Sequence, residues 1–211
     1  MSIDDGTVES SELLRLHARA QALLDGVLSP PVDLERPSPC DGWRLRDLLA
    51  HMLGQNLGLR AAARGEGRDV ESWRPVDPGD DPAAALAASE RALEAAFAAS
   101  GLAGDVWMPE LSPAAPIPAR TALLAHLLDS VVHGWDVAAS LARPYEVPDD
   151  LLDVVATVTA RIPAEPGRGQ TGSAFRAPVR YRALSRLDSV LAHLGRDPRA
   201  WPLPAVARPV R

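Results

Sequence analysis

Four polar residues, spaced at helical intervals, could do chemistry together. Asp129 and His133 are four residues apart, so on a helix their side chains lie one turn from each other on one face. A carboxylate and an imidazole at this spacing could share one metal ion. His126 precedes Asp129 by about one turn, and Asp136 follows His133 by the same interval. We therefore predict a catalytic role for both. His126 would transfer protons, or else be a satisfied polar residue near the rim of the cleft. Asp136 would accept a hydrogen bond from a ligand histidine and so fix its tautomer, or else pair with a neighbouring helix cap or an arginine.

A third ligand would have to come from a facing helix. An earlier apolar segment offers His51, with Asp47 one turn before it and Gln55 one turn after it. Two imidazoles and one carboxylate leave coordination positions open on a metal ion, which is typical of catalytic sites. By spacing alone, Asp129 and His133 could equally be a capping or surface pair, so both interpretations stand at this point.

The elements that must position these residues are helices. Apolar residues recur at helical spacing in six segments, which we predict as helices near residues 10–29, 44–64, 82–100, 119–141, 149–162 and 184–194. Irregular loops are expected at 65–81 and 101–118, and a short strand at 175–181. Four long helices joined by loops predict an all-α four-helix bundle with a small C-terminal appendage, a short strand plus a helix. We place the bundle at 1–165 and the appendage, with a loose Pro-rich tail, at 166–211.

The fourth of these helices is unusually poor in solvating charge. No arginine or glutamate occurs between Arg120 and Arg143. Its apolar residues cover one half of the helix, and the His/Asp stripe covers the other half. The pattern predicts a central helix whose polar stripe faces a cleft.

Composition limits the classes of function. The 211 residues carry a formal net charge of -6, which argues against a nucleic-acid-binding surface. A single cysteine, Cys40, excludes an internal disulfide, and no apolar stretch reaches membrane-spanning length. The chain contains no lysine, so Schiff-base and P-loop chemistry are excluded. We expect a cytoplasmic protein, monomer or homodimer, that acts on a small molecule rather than on a nucleic acid or a membrane.

Three stretches resemble a known family. Residues 39–51, which read PCDGW followed by DLLAH, look like the opening motif of the mycothiol-dependent maleylpyruvate isomerase N-terminal family. Residues 129–138, DSVVHGWDVA, resemble its carboxylate-x-x-x-His motif and the His-x-Trp-Asp signature of a short actinobacterial-type subgroup. Residues 187–201 resemble that subgroup's ending. The family belongs to the DinB/YfiT-like metal-binding helix bundles.

The resemblance implies a metal site and a reaction class. His51, Asp129 and His133 match the family's ligands for a divalent metal ion, zinc first, with nickel or iron as alternatives. It implies a transferase or isomerase that uses mycothiol, a low-molecular-weight thiol, as cosubstrate. This chain has Asp where the isomerase has Glu, and it is too short for the isomerase's further C-terminal domain, so maleylpyruvate is not the expected substrate. Two other functions stay open: a thiol-independent hydrolase or cyclase of specialised metabolism, and a non-catalytic metal-binding stress protein.

Other residues carry weaker expectations. We interpret Cys40 as a buried structural thiol rather than a nucleophile, and His17 and His193 as structural or surface residues. Trp43 and Trp135 are expected in the bundle core. Two loop tryptophans, Trp73 and Trp107, could close over a pocket. Three arginines could hold an anionic substrate, although surface salt bridges are the simpler interpretation of these: Arg120, Arg176 and Arg180.

Overall fold

The computed structural model describes residues 8–164, 168, 175–180, 182–183 and 185–201. Within them the chain forms six α-helices, a short 3₁₀ helix and one two-stranded antiparallel ribbon. In chain order the α-helices are α1 Ser10–Val27, α2 Leu45–Ala63, α3 Pro82–Ser100, α4 Ala119–Leu141, α5 Asp149–Ala160 and α6 Arg186–His193. The 3₁₀ helix is Val70–Trp73, and the ribbon pairs β1 Asp105–Val106 with β2 Ile117–Pro118.

The first four helices form the bundle that the apolar spacing predicts. Helix α1 packs against α3 and α4, and α2 packs against the same two helices, so α1 lies diagonally opposite α2. Beyond the bundle, α5 packs on α4, and α6 packs on α5. The core is built mainly of leucine, with Phe97 and Trp135 as the largest fully buried side chains. None of the described helices is long and apolar enough to cross a membrane.

Local signals explain where the helices begin and end. The Asp81 side chain accepts a hydrogen bond from the Ala84 backbone N–H at 3.0 Å, and Pro82 takes the first helical position of α3. Gly101 ends α3 with a φ of 72°, a conformation that glycine adopts without strain. Asp47, considered above as a site residue, instead accepts from the Arg44 backbone N–H at 2.8 Å and caps the start of α2.

The prediction of a central fourth helix is confirmed. Nearly every residue of α4 is buried, because the helix packs against α1, α2 and α5. Arg120 lies at the start of α4 and Arg143 just beyond its end. The stripe of His and Asp residues lies between them. The absence of arginine and glutamate from the middle of α4 therefore correctly predicted that this helix is buried.

The strands lie elsewhere than expected. The described residues 175–180 form no strand, although Val179 donates a backbone hydrogen bond to the carbonyl of Ala192 at 2.8 Å. The two short strands occur instead within the loop 101–118, where alternation was too brief to detect. The predicted boundary between bundle and appendage, after residue 165, and the tail from residue 202 lie outside the described residues.

One buried acid in α3 makes the stability of the bundle depend on pH. Glu90 is only 6% exposed, and its Oε1 has no hydrogen-bond partner within the described part of the chain. Burial, with smaller contributions from Asp25 and Glu94, raises the pKa of Glu90 to about 8. The folded protein therefore holds a proton here that the unfolded chain, with an ordinary carboxyl pKa of 4.5, gives up.

We expect this proton to appear as a slope in the unfolding free energy. Between about pH 4.5 and 8 the folded state binds one more proton than the unfolded state, so stability falls as pH rises, by roughly 1 kcal/mol per pH unit. Glu90→Gln removes the titrating group and should flatten that part of the profile. Urea denaturation from pH 4 to 9 measures both proteins, with the exposed Glu66→Gln as control. Parallel profiles for parent and Glu90→Gln would contradict the assignment.

Candidate metal site

Helices α2 and α4 bring the three predicted ligands together. His51 comes from α2, and Asp129 and His133 come from successive turns of α4. One ligand atom from each lies within 4.8 Å of the others. His133 Nε2 is 3.2 Å from Asp129 Oδ1, and the rings of His51 and His133 meet edge to face with centroids 5.1 Å apart. The sequence therefore named three residues that do converge in space.

The other side of His133 is held by a buried ion pair. His133 Nδ1 lies 2.9 Å from Asp136 Oδ2, and Arg196 Nη2 donates to the same oxygen at 3.0 Å. Asp136 is 0% exposed and Arg196 is 11% exposed. Because Asp136 accepts at Nδ1, His133 is left with Nε2 directed towards Asp129. Asp136 is thus a positioning residue behind the ligand histidine and does not line the cavity.

Charges around the site favour ionised carboxylates. Burial alone would raise the pKa of Asp129 and of Asp136, but nearby cations outweigh it: His133 lowers the pKa of Asp129, and Arg196 and His133 lower the pKa of Asp136. Burial would lower the pKa of His133, yet Asp129 and Asp136 on either side raise it well above its usual range. Burial lowers the pKa of His51 to about 4, so this imidazole is neutral at pH 7.

The donor set fits a divalent metal ion. Two imidazole nitrogens and one carboxylate oxygen suit zinc, iron or nickel and leave further coordination positions for a ligand. A ligand histidine whose other ring nitrogen donates to a carboxylate is a common feature of such sites. A second group, made of Cys40, His133 and Asp136, also clusters within 4.8 Å, but Arg196 already occupies Asp136 there. The group that contains His51 is therefore the better candidate for metal binding.

The three ligands line a cavity of about 800 Å³, which is a suitable size for a small organic ligand. Its walls come from α2 and α4, from the loop 101–118, from the end of α5 and from the C-terminal segment. The loop contributes Met108, Glu110 and Leu111. The later segments contribute Arg161, Ile162, Phe175, Arg176, Gly195 and Arg196. Both apolar and charged groups therefore line the cavity that contains the three candidate ligands.

A second carboxyl faces the metal ligands across the cavity. Glu110 accepts a hydrogen bond from Gln55 Nε2 at 3.0 Å. Although its surface reaches solvent, the surrounding protein and the charge of Asp129 raise the pKa of Glu110 above the usual range. Gln55 was predicted near the site because it follows His51 by one turn. Its observed role is to hold Glu110.

His126, the other predicted catalytic residue, lines the same cavity. Its Nδ1 lies 2.9 Å from Nε2 of His17, a residue of α1 for which no partner was expected. Both histidines are buried. Of the two positions expected for His17, structural or surface, the structure therefore shows the structural one.

The two loop tryptophans do not close over this cavity. Trp73 packs on Gly58 and donates its indole N–H to the Gly67 carbonyl. Trp107 lies beside Arg68. Neither tryptophan is among the described residues that line the cavity. Arg120 and Arg180 do not line it either.

Three further residues belong to the cavity wall. Arg176 does line it, and it also pairs with Asp41 at 2.6 Å. Trp43 is half-buried beside His51 rather than in the core, with ring centroids 5.1 Å apart. Cys40 is half-buried on the wall, where its thiol donates to Asp136 Oδ2 at 3.4 Å.

Sequence reasoning missed Arg196, Glu110 and His17 as members of the site. Arg196 stood inside a stretch that resembles the subgroup's ending, and that stretch was the available signal. Glu110 lies in a loop with no periodicity, so nothing along the chain pointed to it. His17 could have been found from its position on the buried face of α1, between Leu13 and Ala20.

Comparison with known proteins finds two relatives and one matching family. Two proteins of Mycobacterium tuberculosis, uncharacterized protein Rv0738 (strain ATCC 25618 / H37Rv) and uncharacterized protein MT0763 (strain CDC 1551 / Oshkosh), are each 26% identical over 200 residues. Each alignment covers 88% of this chain and 98% of the relative. No solved structure matches the chain significantly. Residues 13–138 match the family described as mycothiol maleylpyruvate isomerase N-terminal domain, a range that includes all three candidate ligands. The chain belongs to the mycothiol maleylpyruvate isomerase N-terminal domain family.

Proposed function

We propose that this protein is a divalent-metal-dependent transferase or isomerase that uses a low-molecular-weight thiol on a small electrophilic substrate. The family description points to mycothiol as the thiol, and we take zinc as the ion, with nickel or iron as alternatives. The observation that carries the proposal is the convergence of His51, Asp129 and His133 on the wall of a cavity large enough for thiol and substrate together. A divalent ion held by these residues would bind a thiol and lower its pKa into the neutral range.

The described residues of the cavity wall supply no competing nucleophile at this position. The chain's single cysteine, Cys40, lies on the cavity wall, but its thiol is engaged with Asp136 behind His133. Carboxylates and neutral imidazoles remain around the ligands, and these groups move protons more readily than they form lasting bonds. A nucleophile brought in by a bound small molecule therefore fits the site better than one from the protein.

Each residue around the ligands has a definable part. Asp136 accepts a hydrogen bond from Nδ1 of His133 and so keeps Nε2 available as a ligand atom. Arg196 keeps Asp136 ionised by pairing with it in a buried position. Phe175, Ile162 and Met108 offer apolar surface for the body of a ligand.

The thiol role is tested on the cobalt(II)-loaded protein, because a thiolate bound to cobalt gives a strong near-ultraviolet absorption. We expect this absorption to appear with mycothiol and not with S-methyl mycothiol, which has no thiol proton to lose. His51→Ala should abolish it, whereas His193→Ala, a histidine of α6 outside the cavity wall, should leave it unchanged. If the parent shows no absorption at saturating mycothiol, the thiol role is wrong.

A thiol-independent hydrolase or cyclase is the second candidate, and Glu110 is the observation that favours it. A carboxyl whose pKa is raised, held by Gln55 near the metal ligands, is suited to give or accept a proton during hydrolysis. Ester or lactone hydrolysis that needs the metal, proceeds without thiol and is lost in Glu110→Gln would support this candidate. A reaction that needs thiol and survives Glu110→Gln would support the first.

A further inference from the structure

Two buried histidines separate the metal cavity from a second opening in the bundle. His17 of α1 and His126 of α4 are each 2% exposed, and His17 Nε2 lies 2.9 Å from His126 Nδ1. His126 lines the large cavity, whereas His17 lines a cleft of about 180 Å³ between α1, α3 and α4. The pair thus connects two spaces on different sides of the bundle, and the metal-binding role of the site does not require it.

Both rings are neutral, so one proton bridges them. Burial lowers the pKa of His126 to about 4 against the opposing charge of Asp129, with His51 and His133 acting in the same direction as burial. Burial, together with His126, lowers the pKa of His17 well below its usual range. A neutral imidazole has one N–H and one accepting nitrogen. The 2.9 Å contact is therefore an N–H···N bond, in which either ring can be the donor.

The ring nitrogens that the contact between the two histidines leaves over are His126 Nε2 and His17 Nδ1. Because His126 lines the metal cavity and His17 lines the cleft, these are the atoms through which the pair would exchange protons with the two spaces. Ser130, the other polar neighbour of His126, lies on the Nδ1 side at 3.4 Å and gives its own hydroxyl proton to the His126 carbonyl. The cleft of His17 is also lined by Glu94, whose pKa is raised by burial against the charge of Arg91, and it reaches the surface at exposed Ala98.

We propose that His126 and His17 form a proton relay that carries a proton between the metal cavity and the cleft at Glu94. The need for it rests on the proposed function, because a thiol that binds as thiolate must lose a proton. Bound mycothiol that fills the mouth of the cavity separates that proton from bulk water. The relay then provides a second route, through the wall of the bundle, that stays open while the cavity is occupied.

The transfer balances without any further reactant. As the S–H bond breaks, His126 Nε2 accepts the proton and His126 Nδ1 gives its own proton to His17 Nε2. His17 Nδ1 then releases its proton to water in the cleft beside Glu94. Each ring gains one proton and loses one, so both end neutral with the tautomers exchanged. The reverse sequence restores the starting tautomers and returns a proton to the cavity when the thiol leaves.

The test measures proton release separately from thiol binding. Cobalt(II)-loaded protein is mixed with mycothiol in a stopped-flow instrument, with a pH-indicator dye for protons and the thiolate absorption for binding. In His17→Phe, which keeps the volume but cannot relay, we expect the full absorption amplitude and proton release slowed by about 10-fold or more. In His17→Ala, which opens an imidazole-sized space beside the cleft, added imidazole should restore the rate. His193→Phe is the matched histidine control.

Each outcome of this experiment either supports or overturns the proposed relay. Proton release at the parent rate in His17→Phe, with full metal content and amplitude, overturns it, as does a slowed His17→Ala that imidazole does not restore. If the parent shows no thiolate absorption, the proposed function fails, and the relay is judged on the metal-free protein by ¹⁵N NMR of the histidines. Exchange-averaged ¹⁵N shifts for His17 and His126 then support the relay, and fixed tautomers without exchange overturn it.

Discussion

Replacing His133 with alanine is expected to abolish metal binding. His133 is the residue shared by both clusters of candidate ligands, and its ring is fixed on two sides by Asp129 and Asp136. Losing only the outer hydrogen-bond partner of a ligand histidine costs about 10- to 100-fold in metal affinity, so losing the ligand itself should cost more. Elemental analysis of the purified protein should give about one divalent ion per chain in the parent and none in His133→Ala.

Two more variants test which of the two candidate clusters holds the ion. His51 belongs only to the cluster that we propose, and Cys40 belongs only to the other one. We expect His51→Ala to lose the metal and Cys40→Ala to keep it. His193→Ala controls for the loss of a histidine outside the cavity wall. A full complement of metal in His51→Ala would place the ion elsewhere and remove the basis of the proposed function.

Replacing Arg196 with methionine should destabilise the fold by up to about 3–5 kcal/mol, the usual cost of leaving a buried charge without its partner. Arg196 pairs with Asp136, which is completely buried, and the next cation in contact with that carboxylate is His133. Methionine keeps much of the apolar volume of the arginine stem. The loss is therefore due to charge and hydrogen bonding rather than to a cavity. Urea denaturation of the metal-free protein measures the change.

A double-mutant cycle separates the ion pair from general effects of substitution. Asp136→Asn in the Arg196→Met background removes the buried charge that has lost its arginine partner, so we expect the double variant to be more stable than Arg196→Met alone. Strictly additive effects of the two substitutions would show that the pair is not coupled. Asp136→Asn alone should also weaken metal binding by about 10- to 100-fold, because His133 then loses its carboxylate partner.

Much of the bundle could be predicted because helices are local structures. The positions of α3 and α4 follow from apolar residues at helical spacing and from nearby proline, glycine and capping residues. The two strands could not be predicted in the same way, since each has only two residues and forms through its partner across the loop. Between residues 175 and 180 the weak alternation of side chains was not enough to make a strand.

Within the site, the sequence determined what one helix can arrange by itself. Asp129, His133 and Asp136 share a stripe because the helical repeat puts them there. The earlier helical segment offered His51 as a third candidate, and the resemblance to a family supported it. Tertiary structure alone decided the rest: Arg196 reaches Asp136 from 60 residues away, and His17 reaches His126 from 109 residues away. The sequence holds no periodic signal for such contacts, because they depend on how separate helices and loops pack. The protons and charges around the metal position thus depend on side chains such as Arg196 and His17, which lie far away along the chain and carry no local signal of their role.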